Sequence, residues 1–227
     1  MAILTADRLS KTYLEGGSRV EALKGISLSL DQSEIVILEG PSGSGKTTLM
    51  SVAGCLLSPT SGSLSVEGVS VDFSRPRDML RVRKESIGFI FQSFNLFPAL
   101  TVIENVFYAL QVRGRRTKAY EDEARMILDQ IGLSHRLTFY PAQLSGGEKQ
   151  RVAIARALSG GSRIIFADEP TANLDSHVGL EVMSLFRRLA KEEGRSVLVA
   201  THDPSVRTIA DRVIRIRDGQ IVEESAH

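Results

Sequence analysis

Covalent staples, membrane-length apolar runs and charge of one sign are all scarce in this sequence. Cys55 is the single cysteine, so no intrachain disulfide can form, and the N-terminal stretch MAILTADRLS has no basic-then-apolar leader layout. Together these predict a reducing, cytoplasmic setting. Lys and Arg number 28 against 27 Asp and Glu, for a formal net charge of +1. A chain-wide basic field of the kind that attracts nucleic acid or an anionic membrane surface is therefore lacking. The longest apolar stretches, such as Ile35 to Leu38 and Ile164 to Ala167, fall far short of the roughly 20 residues that span a bilayer. There is no low-complexity linker and no repeating period. What remains is a chain of 227 residues, 42% hydrophobic, able to bury a substantial core as one or two compact domains. Function must reside in local sites.

The first third reads as strands. Ile26, Leu28 and Leu30 alternate as in an antiparallel sheet edge, Leu64 through Gly68 to Val71 is hairpin-like, and Ile35 to Leu38 reads as a buried strand. The middle turns helical. Thr101 and Glu104 have capping-box spacing ahead of the stripe Val102, Val106 and Leu110, and a second stripe, Ala124, Ile127, Leu128 and Ile131, stops at Gly132. In the last third the apolar runs Ile164 to Ala167, Val197 to Ala200 and Val213 to Ile216 are separated by a helical pattern over Val182 to Leu189. That is the order of a parallel α/β sheet. Asp218-Gly219 offers a terminal hairpin turn.

The strongest chemical signal is the run Gly40, Pro41, Ser42, Gly43, Ser44, Gly45, Lys46, Thr47, Thr48, between the buried strand and a helical pattern at Leu49, Met50, Val52 and Ala53. Glycines let backbone amides curl around phosphate oxygens, the following helix start favours an anion, and Lys46 adds a mobile positive charge. The Thr47 hydroxyl is placed for Mg²⁺. The alternative, a glycine-rich turn that binds nothing, does not account for the strand, the spacing, Lys-Thr and the helix together. A nucleoside triphosphate is the expected ligand, and this loop alone leaves kinases, GTPases and motor ATPases open.

Two further segments narrow the choice. Ile164 to Ala167 ends in Asp168-Glu169, an arrangement in which the first carboxylate supports the Mg²⁺ shell and the second orients an attacking water, although such a pair also starts turns and caps helices. Leu144-Ser145-Gly146-Gly147-Glu148-Lys149-Gln150-Arg151 enters a helical pattern at Val152, Ile154, Ala155 and Leu158. Ser145 and Glu148 have capping-box spacing, so the segment serves at least as a helix start. Its two glycines also leave amides open to a phosphate held by another subunit.

With that segment placed between the phosphate loop and the Asp-Glu strand, the chain resembles the ABC-transporter ATPases, whose signature LSGGEKQR matches. The resemblance runs from Leu9-Ser10-Lys11-Thr12-Tyr13 to Asp218-Gly219 with the motifs in the family's order. It implies an α/β fold: a P-loop NTPase core with an antiparallel β subdomain and an inserted α-helical subdomain, the core over about 1–92 and 162–227 and the helical part over about 93–161. It implies ATP and Mg²⁺ as cofactors. By the same resemblance Tyr13 stacks on adenine, Gln92 senses Mg²⁺ and the γ-phosphate, Asp175 links two active sites across a dimer, and His202 contacts the γ-phosphate. Taken singly, these residues are also an ordinary strand aromatic, a loop-binding amide, a helix cap and a surface histidine.

Finer features resemble the lipoprotein-release and macrolide-export group: Ile87 to Leu96, Gly54-Cys55-Leu56, and Ala167 to Thr171. Departures are Ser33 and Ala172, where the group usually has Gly, and the absence of its Pro before the Asp-Glu strand in Gly160-Gly161-Ser162-Arg163. The resemblance implies an ATPase that dimerises head to tail with a second copy of itself. Ser145, Gly146 and Gly147 then complete the partner's site, in which Lys46, Thr47 and the loop amides hold the phosphates, Asp168 supports the metal and Glu169 is the general base. It further implies a separate transmembrane permease with an extracytoplasmic domain, gripped near Phe94 to Val106 at the cytoplasmic face of the membrane. The cargo class it suggests is lipophilic or peptide-like, exported or extracted, with no nucleic-acid partner. The alternative is a division-type regulatory ATPase that signals through a membrane scaffold without transport.

Overall fold

The alternation that ends at Leu30 belongs to a 14-residue strand, β2 (Ser18–Asp31), paired antiparallel with β1 (Ala2–Glu15). The pair turns through Gly16 and Gly17, with φ +55° and +84°, the positive angles a two-residue hairpin turn requires. In this computed structural model, which describes residues 1–112 and 119–226, β4 (Ser61–Val66) and β5 (Val69–Ser70) complete a four-stranded sheet in the order β2-β1-β4-β5. The hairpin-like stretch from Leu64 to Val71 is thus confirmed, with the turn at Glu67-Gly68.

The second sheet has six strands: β3 (Ile35–Glu39), β6 (Ile87–Ile90), β7 (Ile164–Asp168), β8 (Ser196–Thr201), β9 (Arg212–Arg217) and β10 (Gln220–Ala226). Their order is β10-β9-β3-β8-β7-β6. All pairs are parallel except β9–β10, which turns at Asp218-Gly219 with φ +50° and +77°. The parallel register sets Glu39 beside Thr201 and Asp168 beside Ala200, so several strands end together on one edge. In sheets of this type ligands bind outside those carboxyl ends.

Helices cover both faces: α1 (Lys46–Ala53), α2 (Pro76–Glu85), α3 (Val102–Val112), α4 (Ala119–Gln130), α5 (Gly146–Leu158) and α6 (Ser176–Lys191). The period-2 pleat splits the core in two. Ile35, Ile37, Ile165, Val197 and Val199 face a cluster with α3 to α6, whereas Val36, Leu38, Phe166, Leu198 and Ala200 face the antiparallel sheet and α1. Each fully buried Leu, Ile or Phe contributes about 1.5–3 kcal/mol of transfer free energy, so both faces are held mainly by apolar burial. Helices α3, α4 and α5 fall within the interval 93–161, and their apolar core is continuous with the first of these faces.

The cap read at Thr101 is formed: the Thr101 amide donates to Glu104 at 2.7 Å and the Glu104 amide to Thr101 Oγ1 at 3.4 Å. Helix α2 has no counterpart in the sequence reading, because only Met79 and Val82 of its ten residues are buried and charge masks its periodicity. Ser33, where the resembling group has Gly, takes φ +59°, a left-handed angle that a glycine adopts without strain. Among the described residues no helix is long and apolar enough to cross a membrane.

Candidate functional site

The chain leaves β3 at Glu39 and turns at once into the glycine-rich loop. Gly40 has φ +155°, and a Cβ there would lie 2.2 Å from the Ile216 carbonyl oxygen. Gly45, the N-cap of α1, has φ +106°, and a Cβ there would lie 2.6 Å from the Ala22 carbonyl oxygen. Both positions therefore exclude any side chain. No side chain caps α1, so its first amides stay open toward the loop's concavity. Lys46 is buried, and its ammonium donates to the carbonyls of Gly40 at 2.7 Å and Pro41 at 3.0 Å.

Ser42 through Thr48 line a cavity of ≈ 350 Å³ together with Ala22, Gln92, Glu169 and His202. Residues from the loop and from the segments just after β6, β7 and β8 thus meet where the parallel strands end. Asp168, the last residue of β7, accepts a hydrogen bond from Thr47. Burial raises its pKa and the Glu169 charge adds to that, while the Thr47 bond and Lys46 pull it back. Glu169 sits at φ +47°, held by its amide to the Ala200 carbonyl at 2.8 Å. Its Oε1 lies 2.9 Å from His202 Nδ1, and its Oε2 is buried without a hydrogen-bond partner among the described residues. Ser44 Oγ is buried and unpartnered in the same way.

The unpartnered Ser44 hydroxyl, a cradle that a Cβ would fill and open helix amides together fit a polyphosphate, while the unpartnered Glu169 oxygen can accept only from a donor such as water. Thr47, Asp168 and Gln92 are oxygen donors suited to Mg²⁺, which favours one or two protein ligands plus phosphate oxygens. Among the described residues no cluster of three or more His, Cys, Asp or Glu is arranged to hold a metal. A larger groove of ≈ 630 Å³ runs between α4, α5 and α6, but none of the glycine-rich loop lines it, and Arg151 there pairs with Glu181 at 3.0 Å. Size therefore does not mark the site; chemistry does.

The structure does not gather every candidate residue into that cavity. Ser145, Gly146 and Gly147 are not among its lining residues, and neither are Tyr13 and Asp175. Ser145 closes a complete capping box: its hydroxyl accepts from the Glu148 amide at 3.2 Å, and Glu148 Oε2 accepts from the Ser145 amide at 2.8 Å. The Ser145 amide, with Arg136 helping, holds the Glu148 pKa down to about 2 against the burial that raises it. Gly147 is buried, and a Cβ there would lie 2.3 Å from Val178 Cγ1 on α6. Asp175 caps α6 by accepting from the Val178 amide at 3.0 Å. Tyr13 lies on β1 with the Lys11 ammonium 5.3 Å from its ring centroid. The sequence placed Gln92 at the end of a strand running to Phe91; the strand stops at Ile90 and Gln92 lies in the turn beyond it.

Three contributors carried no sequence signal of their own. The Ala22 backbone walls the loop, and Asn173 Nδ2 donates to the Gln92 carbonyl at 2.8 Å. Arg156 on α5 donates to the carbonyls of Phe94, at 2.8 Å, and Asn95, bracing two residues with φ +60° and +49° just after Gln92.

Comparison with known proteins agrees with this geometry. The sequence profile of ABC transporters matches residues 23–172. The macrolide export ATP-binding/permease protein MacB of Shigella flexneri is 46% identical over 220 residues, 97% of this chain but 34% of that protein. The chain thus spans about a third of that relative's length. The uncharacterized ABC transporter ATP-binding protein YvrO of Bacillus subtilis (strain 168) is 42% identical, with 97% of this chain and 96% of that protein covered. Among solved structures, the bacterial ABC transporter cassette MJ0796, described as dimeric, superposes with a TM-score of 0.91 at 37% identity over 98% of both chains. A second structure of that cassette is a post-hydrolysis state bound to ADP and Pi, with the same TM-score of 0.91.

Proposed function

This chain belongs to the ABC transporter family as one of its ATP-hydrolysing cassettes, and on that premise we propose that it is the motor subunit of a membrane machine in which two copies close head to tail around ATP. The observation that carries this is the division of the site. The cavity at the phosphate loop has its lysine, the Glu169 carboxylate and its histidine, with Asp168 bound to Thr47 beside it, while the Ser145 helix start lies outside it. A single chain then carries two half-sites, and twofold closure joins each loop to the partner's helix start. The dimeric MJ0796 cassette supports the reading.

In this mechanism the loop amides and Lys46 hold the β- and γ-phosphates, and Thr47, Asp168 and Gln92 would hold Mg²⁺. When bound, that ion supplies charge neutralisation across the phosphate oxygens. Glu169 accepts the proton of the attacking water, and its Oε1 contact with His202 fixes the carboxylate's orientation. Gln92 reaches the cavity from a turn whose carbonyl is tied by Asn173. Tyr13 stacks on the adenine, Ser145, Gly146 and Gly147 approach the partner's γ-phosphate, and Asp175 sits where the two sites communicate.

The transmembrane partner docks beside Phe94 to Val106. Exposed Phe97 and Tyr108, whose rings meet edge to face at 4.9 Å, support an apolar contact there. The cassette is then peripheral, on the cytoplasmic face, and serves a permease with an extracytoplasmic domain that exports or extracts a lipophilic or peptide-like cargo. The likeness to a macrolide export protein supports the export direction.

The test is Glu169→Gln. Turnover falls by roughly 10² to 10⁴ if Glu169 is the general base, and ATP-bound dimers accumulate on gel filtration. Hydrolysis near the wild-type rate would remove Glu169 from that role.

A further inference from the structure

Glu39 is the last residue of β3 and the one before the phosphate loop, and it is 8% exposed. A carboxylate so placed needs partners. It has two arginines: Arg207 donates from Nε to one oxygen and from Nη2 to the other at 2.6 Å, and Arg215 Nη2 stands 3.9 Å away. Arg215 in turn pairs with Glu223 on β10. Arg207 belongs to the 3-10 turn Pro204–Ile209, which begins two residues after His202.

We propose that the Arg207–Glu39 fork is a positioning device that fixes the turn following His202, and through it the histidine, relative to the phosphate loop. This rests on the reading of His202 as a γ-phosphate contact. The argument begins with what holds His202 in place. Its side chain is 70% exposed, and its contact is with Glu169, so packing does not orient the ring. The backbone does. On one side Thr201 is locked in β8 beside Glu39. On the other side Val206 is buried in the core, an apolar contact that holds the turn down without giving it a direction.

A bidentate fork supplies that direction, because both nitrogens must meet both oxygens in one plane. One end of the fork is rooted where the phosphate loop begins, and the other in the turn that directly follows the histidine segment. Displacement of one would therefore drag the other. Glu39 is buried while the Arg207 side chain is 39% exposed, and ion pairs with a solvated partner add little net stability, so geometry is the property this pair would supply.

Two measurements test it, with the whole chain. In nucleotide-free protein, amide hydrogen exchange over 203–209 should speed up by roughly tenfold or more in Arg207→Ala, while β3 and β8 keep their protection. The paired replacement Glu39→Met with Arg207→Met gives the same result without leaving a lone buried charge. Steady-state hydrolysis by both variants should fall by roughly ten- to a hundredfold in kcat, with KM for ATP unchanged. The double variant His202→Ala with Arg207→Ala should be no slower than His202→Ala alone. Unchanged exchange across the turn, or a double variant slower than either single one, overturns the proposal. If His202→Ala hydrolyses ATP at the wild-type rate, the reading of His202 fails instead, and exchange across the turn still decides whether the fork fixes it.

Discussion

Two helices of this chain start beside glycines, and they treat their unpaired first amides in opposite ways. At α1 the N-cap is Gly45 and no side chain accepts from the helix, so the amides are left for something outside the protein. At α5 the N-cap is Ser145, and a reciprocal box with Glu148 satisfies two donors within the chain. Around α1 stand Lys46, Thr47, Asp168, Glu169 and His202; at the start of α5 Glu148 and Arg136 are bound to each other at 2.7 Å. The difference teaches that α1 is built to take a ligand and α5 to be rigid and presentable. A helix start that needs no ligand for its own stability can be offered to another chain's ligand.

The contrast is broken most severely at Lys46. Lys46→Ala should abolish tight ATP binding and lower hydrolysis by roughly 10² to 10³, because the cationic donor to the phosphates is gone. Nucleotide-binding fluorescence and phosphate release check both. Ser145→Arg should also stop hydrolysis yet leave ATP binding by the lone subunit intact. Mixing the two variants should restore activity through the one intact site of each mixed dimer, whereas normal hydrolysis by Ser145→Arg alone contradicts a shared site.

A subtler lesion separates the amide from the scaffold. Gly147→Ala should destabilise the fold by about 1–3 kcal/mol through overpacking against Val178, with Val178→Ala as the compensating change, read from urea midpoints. Ser145→Ala should cost about 1 kcal/mol of stability through the lost cap.

The remaining effect is electrostatic. Glu148 is held at about 2 from an ordinary value of 4.5, so the folded state favours its carboxylate. That stabilisation is complete above pH 4.5 and lost as pH falls through 4.5 toward 2. The stability gap between the wild type and Glu148→Gln should therefore stay constant from neutral pH down to about pH 5 and shrink below that.

Most of the parallel sheet was legible because its strands are buried on both faces and stand out as apolar runs between turn residues. Ile35 to Leu38, Ile164 to Ala167 and Val197 to Ala200 needed no structure to be found. The long β1–β2 hairpin and α2 were not legible. Arg19 to Leu23 has no clean alternation, and α2 offers only Met79 and Val82 to the core. At the site, residues that bear a chemical group in a fixed spacing could be named in advance. Asn173, Arg156 and Ala22 could not, since two act by binding a backbone carbonyl and the third by its own backbone, contacts that leave no pattern in the chain.

The sequence by itself determined that a phosphate-binding loop follows a buried strand, that Asp168 and Glu169 end another, and that Ser145 caps a helix. Each of these follows from local spacing and backbone geometry. Only the tertiary structure decided that Glu169 and His202 meet at 2.9 Å, that Gly147 is small because Val178 is behind it, and that Glu39 is gripped by Arg207. The pairs lie 33, 31 and 168 positions apart in the chain, and strand order and register bring them together.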